Sequence, residues 1–191
     1  MALLPFGSNA SEEMNIVELL RKDHEKAKML FREFEGAEKA EKQHIVRQAI
    51  TELEIHALAE EKIFYPAIRK DSPDAASHLD ESFEEHHVMK FLISELKDMS
   101  QEDRRFDAKF TVLAENVKHH IKEEEADLFA RARTGHLDLA ELAKELTVAK
   151  ASIQANSKKK KTKATPERKH AKGPAASKRQ PVRKTKKRTA A

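Results

Sequence analysis

The sequence predicts an all-α protein: an up-down-up-down four-helix bundle, followed by a short fifth helix and a disordered basic tail. Apolar residues recur at helical spacing in four long blocks, and β-branched runs are absent. The 191-residue chain has only four glycines, and Gly36 and Gly135 stand beside predicted helix ends. Because short connections favour an antiparallel bundle, we expect the apolar stripes to face inward with their midpoints at one level.

The first two helices are predicted over about 12–35 and 41–69. Ser11 is the expected N-cap of the first helix, Gly36 is its stop, and Pro66 lies near the end of the second. The inward line of the first helix reads Ile16, Leu20, His24, Ala27, Phe31 and Phe34. The line of the second reads Ile45, Ala49, Leu53, His56, Glu60 and Phe64.

The third and fourth helices are predicted over about 75–99 and 106–133, with a proline-containing turn at 71–74 before the third. The line of the third reads Leu79, Phe83, His86, Met89, Ile93 and Leu96. The line of the fourth reads Phe106, Phe110, Leu113, Val117, His120, Glu124 and Leu128. A fifth helix over about 137–151 is expected to pack outside the bundle or to extend it.

Charge divides the chain into a helical domain and a tail. From Asn156 onward lie 15 of the 37 Lys and Arg but one of the 33 acids, which leaves 22 basic and 32 acidic residues before it. We predict an N-terminal extension over 1–11, the bundle over 12–152 and a disordered tail over 153–191. The tail has almost no large apolar residue with which to offset the entropy of ordering.

Composition narrows the possible chemistry and location. The chain has no cysteine, which excludes disulfides, thiolate zinc sites, iron–sulfur clusters and cysteine nucleophiles. No apolar run approaches the roughly 20 residues of a membrane span, and residues 1–10 lack the pattern of a secretory signal. We expect a soluble, cytoplasmic protein, with association to the nucleoid as a further possibility.

A repeated phrase supplies candidate metal ligands. His56-Ala-Leu-Ala-Glu60-Glu61-Lys-Ile-Phe-Tyr65 and His120-Ile-Lys-Glu-Glu124-Glu125-Ala-Asp-Leu-Phe129 stand 64 residues apart. Each places a His and a Glu one turn apart on one helical face, and such ligands suit iron or manganese. A single His in an apolar stripe is usually a hydrogen-bonded core residue, but four at one depth favour a metal centre. The predicted ligands are His24, His56, Glu60, His86, His120 and Glu124.

The same frame separates adjacent candidates. Phe129 corresponds to Tyr65, so that His120 matches His56 and His119 points about 100° away. The apolar line of the third helix likewise selects His86 over His87. The remaining histidines are expected in solvent: His44, His78, His136 and His170. Glu61, Glu125 and Asp23 stand beside predicted ligands, and orientation of those ligands and simple surface exposure are both open for them.

A ferritin-like di-iron site is the nearest structural alternative. It requires Glu-x-x-His on two helices with single Glu residues on the others. Glu41-x-x-His44 and Glu84-x-x-His87 fit that spacing. However, Glu41 stands at a helix start, and the fourth helix has no such pair.

The order of the motifs resembles the hemerythrin-like (HHE cation-binding) domain over about residues 12–150. Four segments carry the resemblance: Lys22-Asp23-His24-Glu25, the first repeated phrase with Pro66, Glu85-His86, and the second repeated phrase. It implies an oxo- or hydroxo-bridged di-iron centre, with Mn or Zn as less favoured metals, used to bind O2 or to sense oxygen, nitric oxide or redox state. The family's oxygen carriers have a second His where this chain has Lys90, which argues against simple O2 storage and leaves Lys90 as an alternative ligand or outer residue.

The basic tail favours contact with nucleic acid. Its candidate residues are Lys158, Lys159, Lys160, Lys161, Arg168, Lys169, Lys178, Arg179, Arg183, Lys184, Lys186, Lys187 and Arg188. The composition resembles linker-histone-like tails, and an extended chain of this charge binds phosphate backbones without reading sequence. The alternative is a solubilising tail that folds back on the acidic bundle.

Three functional hypotheses follow from the sequence. The first is a di-iron protein that senses, binds or scavenges O2, nitric oxide or peroxide, held near nucleic acid by its tail. The second is a DNA-binding, compaction or protection factor whose bundle is mainly structural. The third is an iron-oxidising enzyme that uses O2 or peroxide, and the oligomeric state is left open.

Overall fold

The computed structural model describes residues 14–163 and the side chains of residues 14–155. Helices α1 to α7 span Ile16–Gly36, Lys39–Ala59, Tyr65–Asp71, Ala76–Asp98, Phe106–Ala126, Leu128–Thr134 and Leu139–Lys163. A π-helical turn, Glu60–Phe64, joins α2 to α3, and a 3₁₀ turn, Pro73–Ala75, precedes α4. No strand occurs within residues 14–163, so the all-α prediction is confirmed.

The four long helices α1, α2, α4 and α5 form an antiparallel bundle. Along α1, buried residues pass from one apolar cluster, which contains Leu20, to a second, which contains Phe31. The order is reversed along α2, restored along α4 and reversed again from Phe110 in α5 to Leu128 at the start of α6. This alternation confirms the up-down-up-down arrangement and leaves a layer between the two clusters, where the inward His and Glu residues lie.

The start of the first helix differs from the prediction. Asn15 is the N-cap, because its side-chain oxygen accepts a hydrogen bond of 3.1 Å from the backbone N–H of Glu18. The helix therefore begins at Ile16, four residues later than predicted, and the predicted cap Ser11 lies outside the described residues.

The second and fourth predicted helices are each interrupted just beyond their inward Glu. In the second, Pro66 has no N–H to donate, and it occupies the first turn of α3 after the π-helical turn that begins at Glu60. In the fourth, the chain bends at Asp127, which separates α5 from α6. Both interruptions bring the following aromatic residues, Tyr65 and Phe129, fully into the core.

Two further predictions were wrong in part. Phe83, expected to point inward, is 36% exposed and packs against the edge of the Tyr65 ring, while Ser82 takes the buried position. The fifth helix, α7, continues to Lys163 instead of ending near Ala151, so its backbone extends into the predicted tail. Ala, Gln and Lys in this stretch are good helix formers, and no Gly or Pro interrupts them.

Helix α7 packs on the outside of α1, α2 and the π-helical turn. Ala143 and Leu146 enter the apolar cluster that contains Leu20. The predicted external packing of the fifth helix is therefore observed. Among the described residues, no helix is long and apolar enough to cross a membrane.

Candidate metal centre

The layer between the two apolar clusters contains the six predicted ligands and is almost closed to solvent. Glu60 and His86 are fully buried, and the other four are at most 6% exposed: His24, His56, His120 and Glu124. Burying four imidazoles and two carboxylates together is costly unless their charges and lone pairs are matched. The contacts made by these groups show how the protein matches them.

Four of the six residues form a first group on the side of α1 and α2. Nε2 of His56 lies 3.0 Å from Oε1 of Glu60, one turn further along the chain. Nε2 of His24 lies 3.2 Å from Oε2 of Glu124 and 3.9 Å from Oε1 of Glu60. Each of the four offers a ligand atom within 4.8 Å of the others, close enough to share one ion.

Glu60 belongs to a second group as well, on the side of α4. Its Oε2 lies 3.5 Å from Nε2 of His86, which in turn lies 3.2 Å from Nε2 of His120. The hydroxyl of Tyr65 is 3.4 Å from the same nitrogen of His86. The ligand atoms of Glu60, His86 and His120 also lie within 4.8 Å of one another, so one carboxylate joins two groups.

Each inward histidine has a carboxylate on its outer nitrogen. Nδ1 of His24 lies 2.9 Å from Glu125, that of His56 lies 3.4 Å from Asp23, that of His86 lies 2.9 Å from Glu61, and that of His120 lies 2.7 Å from Glu85. A neutral ring that donates its Nδ1 proton outward presents the Nε2 lone pair to the interior, as metal-binding histidines do.

Basic side chains hold three of these four outer carboxylates. Lys150 of α7 pairs with Asp23, Lys90 pairs with Glu61, and Lys28 lies 3.5 Å from Glu125. Lys90 has 45% of its side chain exposed, so the structure places it at the surface end of this layer. These ion pairs hold the carboxylates ionised, so that each can accept a hydrogen bond from Nδ1 of its histidine.

The charges of the inner layer are unevenly distributed in the metal-free protein. Burial by itself lowers the pKa of His24, but the nearby carboxylates of Glu124 and Glu125 outweigh it and raise the pKa to about 9. Burial likewise acts to raise the pKa of Glu124, but His24 outweighs it and lowers the pKa to about 2. Burial, assisted by the charge of Glu124, raises the pKa of Glu60 well above its ordinary value. His24 thus holds a proton at neutral pH, whereas Glu124 is ionised.

His56 and Tyr65 remain neutral. Burial lowers the pKa of His56 to about 4, against the opposing effect of Asp23. Burial and the charges of Glu124 and Glu60 raise the pKa of Tyr65 well above its ordinary value, so the phenol keeps its proton. His56 is therefore available as a neutral nitrogen ligand without losing a proton first.

Unsatisfied atoms indicate that the layer fits a cation. Both carboxylate oxygens of Glu60 and of Glu124 are buried without a hydrogen-bond partner, as is Nε2 of His24 and of His56. Buried carboxylate oxygens are normally hydrogen-bonded or bound to metal. The donor set of imidazole nitrogen and carboxylate oxygen suits iron, manganese or zinc. The His and Glu groups of this layer could therefore hold a metal.

The structure also places the residues that the sequence left open. Glu61, Glu125 and Asp23 all contact outer histidine nitrogens, and none of the three is simply a solvated surface group. His119 points outward with 64% of its side chain exposed, and His87 is exposed too. Of the tail candidates, Lys158 to Lys161 lie in the helical backbone of α7, and those from Arg168 onward lie outside the described residues.

Three residues of the centre were missed by sequence reasoning. Glu85 is adjacent to His86 as Asp23 is adjacent to His24, and this shared offset was a signal for its role. Tyr65 was used only to align the two phrases. Its hydroxyl, which the aligned residue Phe129 lacks, was a signal for a polar role. Lys150 of α7 has no local sequence signal, because its contact with Asp23 depends on how α7 docks.

An antiparallel four-helix bundle with a buried layer of histidines and glutamates defines a class of helical cation-binding proteins. The profile of the hemerythrin HHE cation-binding domain family matches residues 15–132. The chain belongs to this family, as the sequence resemblance implied.

The chain is similar to one solved structure and to one named relative. A solved structure of a hemerythrin HHE cation-binding domain-containing protein from Mycobacterium kansasii superposes with a TM-score of 0.68 at 21% identity, covering 78% of this chain and 93% of that one. A protein named DNA nickase, from Nostoc sp., is 32% identical over 146 residues, which are 75% of this chain and 41% of the relative. The chain thus spans less than half the length of that relative.

Proposed function

We propose that the buried layer binds two iron ions and that the centre reacts with or senses a small ligand: O2, nitric oxide or peroxide. The observation that carries this proposal is the position of Glu60, whose two oxygens face different histidine groups. His24 and His56 would hold one ion with Glu124, and His86 and His120 would hold the other. Glu60 would contact both.

Bound iron would supply reversible electron transfer and an open position for a small ligand. The protein's own groups would do the rest. The outer carboxylates fix each imidazole in one tautomer, and the two apolar clusters exclude bulk water. Tyr65 keeps its proton on a hydroxyl oxygen that lies 3.4 Å from Nε2 of His86. A proton donor beside the centre suits a protein that meets peroxide or reduced oxygen, and it favours sensing or scavenging over simple storage.

Changing His56 to Ala tests this assignment, with His44→Ala as the matched control. Both residues lie on α2, but His44 is exposed and outside the layer. We expect two irons per chain and the near-ultraviolet absorption of a bridged ferric pair in the wild-type protein and in His44→Ala. His56→Ala should lose that stoichiometry, and two irons in this variant would show the assignment to be wrong.

A second candidate function concerns DNA. The tail carries 15 basic residues from Asn156 onward, and one relative is named DNA nickase. In this hypothesis the chain binds DNA without sequence preference, through phosphate contacts, and either compacts it or protects it. The bundle would then be mainly a structural unit.

Removing residues 164–191 separates the two functions, because this change keeps α7 whole and removes ten of the 15 basic residues. We expect unchanged iron spectra, together with weaker binding to plasmid DNA and a shallower dependence of that binding on salt. Incubation with supercoiled plasmid under the same conditions reports nicking or protection. Full DNA affinity in the shortened protein would exclude the tail as the contact.

A further inference from the structure

A groove between α4 and α5 reaches the buried centre from the surface. It has a volume of about 280 Å³ and is lined by the acids Glu81, Glu85, Glu123, Glu124 and Asp127 together with His78. Asp127 is paired with Arg131 at 2.9 Å, and it also lies 2.8 Å from Nδ1 of His78. The other four carboxylates remain as a concentration of negative charge.

The inner wall of this groove includes Glu124, which is a ligand of the proposed centre. Glu124 is 2% exposed, and neither of its oxygens has a hydrogen-bond partner. Glu85, further out, accepts from Nδ1 of His120 at 2.7 Å. A cation in the groove would therefore meet an unsatisfied buried carboxylate at its inner end.

The rim of the groove carries a group that can hold an ion by itself. Glu85, His119 and Glu123 offer ligand atoms that lie within 4.8 Å of one another, and Nε2 of His119 is 3.1 Å from Oε1 of Glu123. His119 and Glu123 are about half exposed or more, so a hydrated cation has access to them. Imidazole and carboxylate ligands with retained water suit a weakly held divalent transition-metal ion.

On the α1–α2 side, the described residues leave only a cavity of about 10 Å³ beside His24 and His56. There α7 packs over α1, α2 and the π-helical turn, and its Lys150 pairs with Asp23, the carboxylate that holds His56. A lysine at this position repels cations, whereas the equivalent carboxylate on the α4–α5 side, Glu85, faces the groove. Charge and access thus favour one side.

We propose that the groove between α4 and α5 is the route by which a divalent metal ion enters, and that Glu85, His119 and Glu123 hold the ion at the rim before it moves to the buried layer. The proposal rests on the proposed function, because it requires that the layer bind metal. A cleft of one charge raises the rate at which a counter-ion arrives, so the rim should control the rate of loading and not the final metal content.

The test loads metal-free full-length protein with Co²⁺ in a stopped-flow instrument and follows visible absorption. The rim variant His119→Gln/Glu123→Gln is compared with His44→Gln/Glu115→Gln, which removes the same residue types from exposed positions outside the groove. We expect loading of the rim variant to slow about tenfold at low ionic strength, and the control to remain within about twofold of the wild type. Final Co²⁺ content of the buried layer should be equal in all three proteins, and circular dichroism checks their folding.

The outcomes separate this inference from the proposed function. Wild-type loading rates in the rim variant would overturn the entry route while leaving the buried centre intact. A rim variant that ends with less metal in the buried layer would also overturn it, because its residues would then belong to the centre itself. Absence of Co²⁺ binding that depends on His56 in the wild-type protein would overturn both.

Discussion

The α1–α2 half and the α4–α5 half of the bundle present the same inner residues in different surroundings. His24, His56 and Asp23 in the first half correspond to His86, His120 and Glu85 in the second. The paired histidine rings have the same centroid distance of 4.8 Å in both halves. The outer contacts differ, because α7 covers Asp23 while Glu85 faces an acidic groove.

The aromatic neighbours also differ between the halves. Phe129 stacks on His24 at 5.4 Å with an interplanar angle of 2°, whereas Tyr65 lies 5.5 Å from His86 and brings a hydroxyl to its inner nitrogen. The comparison shows that equivalent histidines can differ in solvent access and in nearby proton donors because the residues around them differ. The α1–α2 half is covered by α7 and has a phenyl ring beside its histidine, whereas the α4–α5 half faces an acidic groove and has a phenolic proton donor there.

The largest expected effect comes from the carboxylate that both halves share. Glu60→Gln keeps the size of the side chain but removes the charge that faces both histidine groups, so we expect both metal ions to be lost. Glu124→Gln affects only the first group and should leave one ion with His86 and His120. Metal content per chain distinguishes the two variants, and equal losses would show that the halves are not separable.

Metal affinity should rise with pH between about 6 and 9. Without a bound cation, His24 keeps a proton because its pKa is raised to about 9, and the raised pKa of Glu60 favours its protonated form. Both protons must leave when a cation binds, so lowering the pH favours the metal-free form. Competition with a chelator at several pH values measures this dependence, and an affinity independent of pH would contradict the protonation described here.

The outer carboxylates should have a smaller effect on metal affinity. Asp23→Asn and Glu85→Gln each replace the charged acceptor on one histidine with a neutral amide, and we expect losses of about 10- to 100-fold. Lys150→Ala removes only the partner of Asp23, so its effect should be smaller and confined to the ion held by His56. Chelator competition measures the metal affinity of all three variants. A loss of affinity in Lys150→Ala as large as that in Asp23→Asn would contradict the claim that Lys150 acts on the metal only through Asp23.

Tyr65→Phe makes the two halves alike and should have the smallest effect on metal binding. Phe129 already fills the equivalent position, so the fold and the metal content should be unchanged. We expect the reaction of the iron-loaded protein with peroxide to slow, because the phenolic proton near His86 is gone. Phe129→Tyr serves as the reciprocal control, and unchanged peroxide kinetics in Tyr65→Phe would remove Tyr65 from the proposed function.

Much of the fold could be predicted because the signals are local. The spacing of apolar residues marked the four long helices, and the alignment of Phe129 with Tyr65 chose His120 over His119, which agrees with their burial. The interruption at Glu60–Phe64 was not predicted, because a π-helical turn has no strong composition signal apart from the nearby Pro66. Phe83 was misplaced because Ser82 and Phe83 both lie at helical spacing between the buried Leu79 and His86, and the apolar residue of the two was preferred.

The outer layer of the centre required tertiary information. Asp23 holds His56 and not its neighbour His24, and Glu85 holds His120 and not its neighbour His86. Such pairings cross from one helix to another, so spacing along one helix cannot reveal them. The length of α7 and the contact of Lys150 with Asp23 depend in the same way on docking against α1 and α2.

The most direct test of the account is the anomalous scattering of crystals of the iron-loaded protein. We predict two iron peaks in the buried layer, one against Nε2 of His24 and His56 and one against Nε2 of His86 and His120, with Glu60 contacting both. A single peak in the layer, or peaks found only at the surface, would contradict the claim that the two halves form one shared centre.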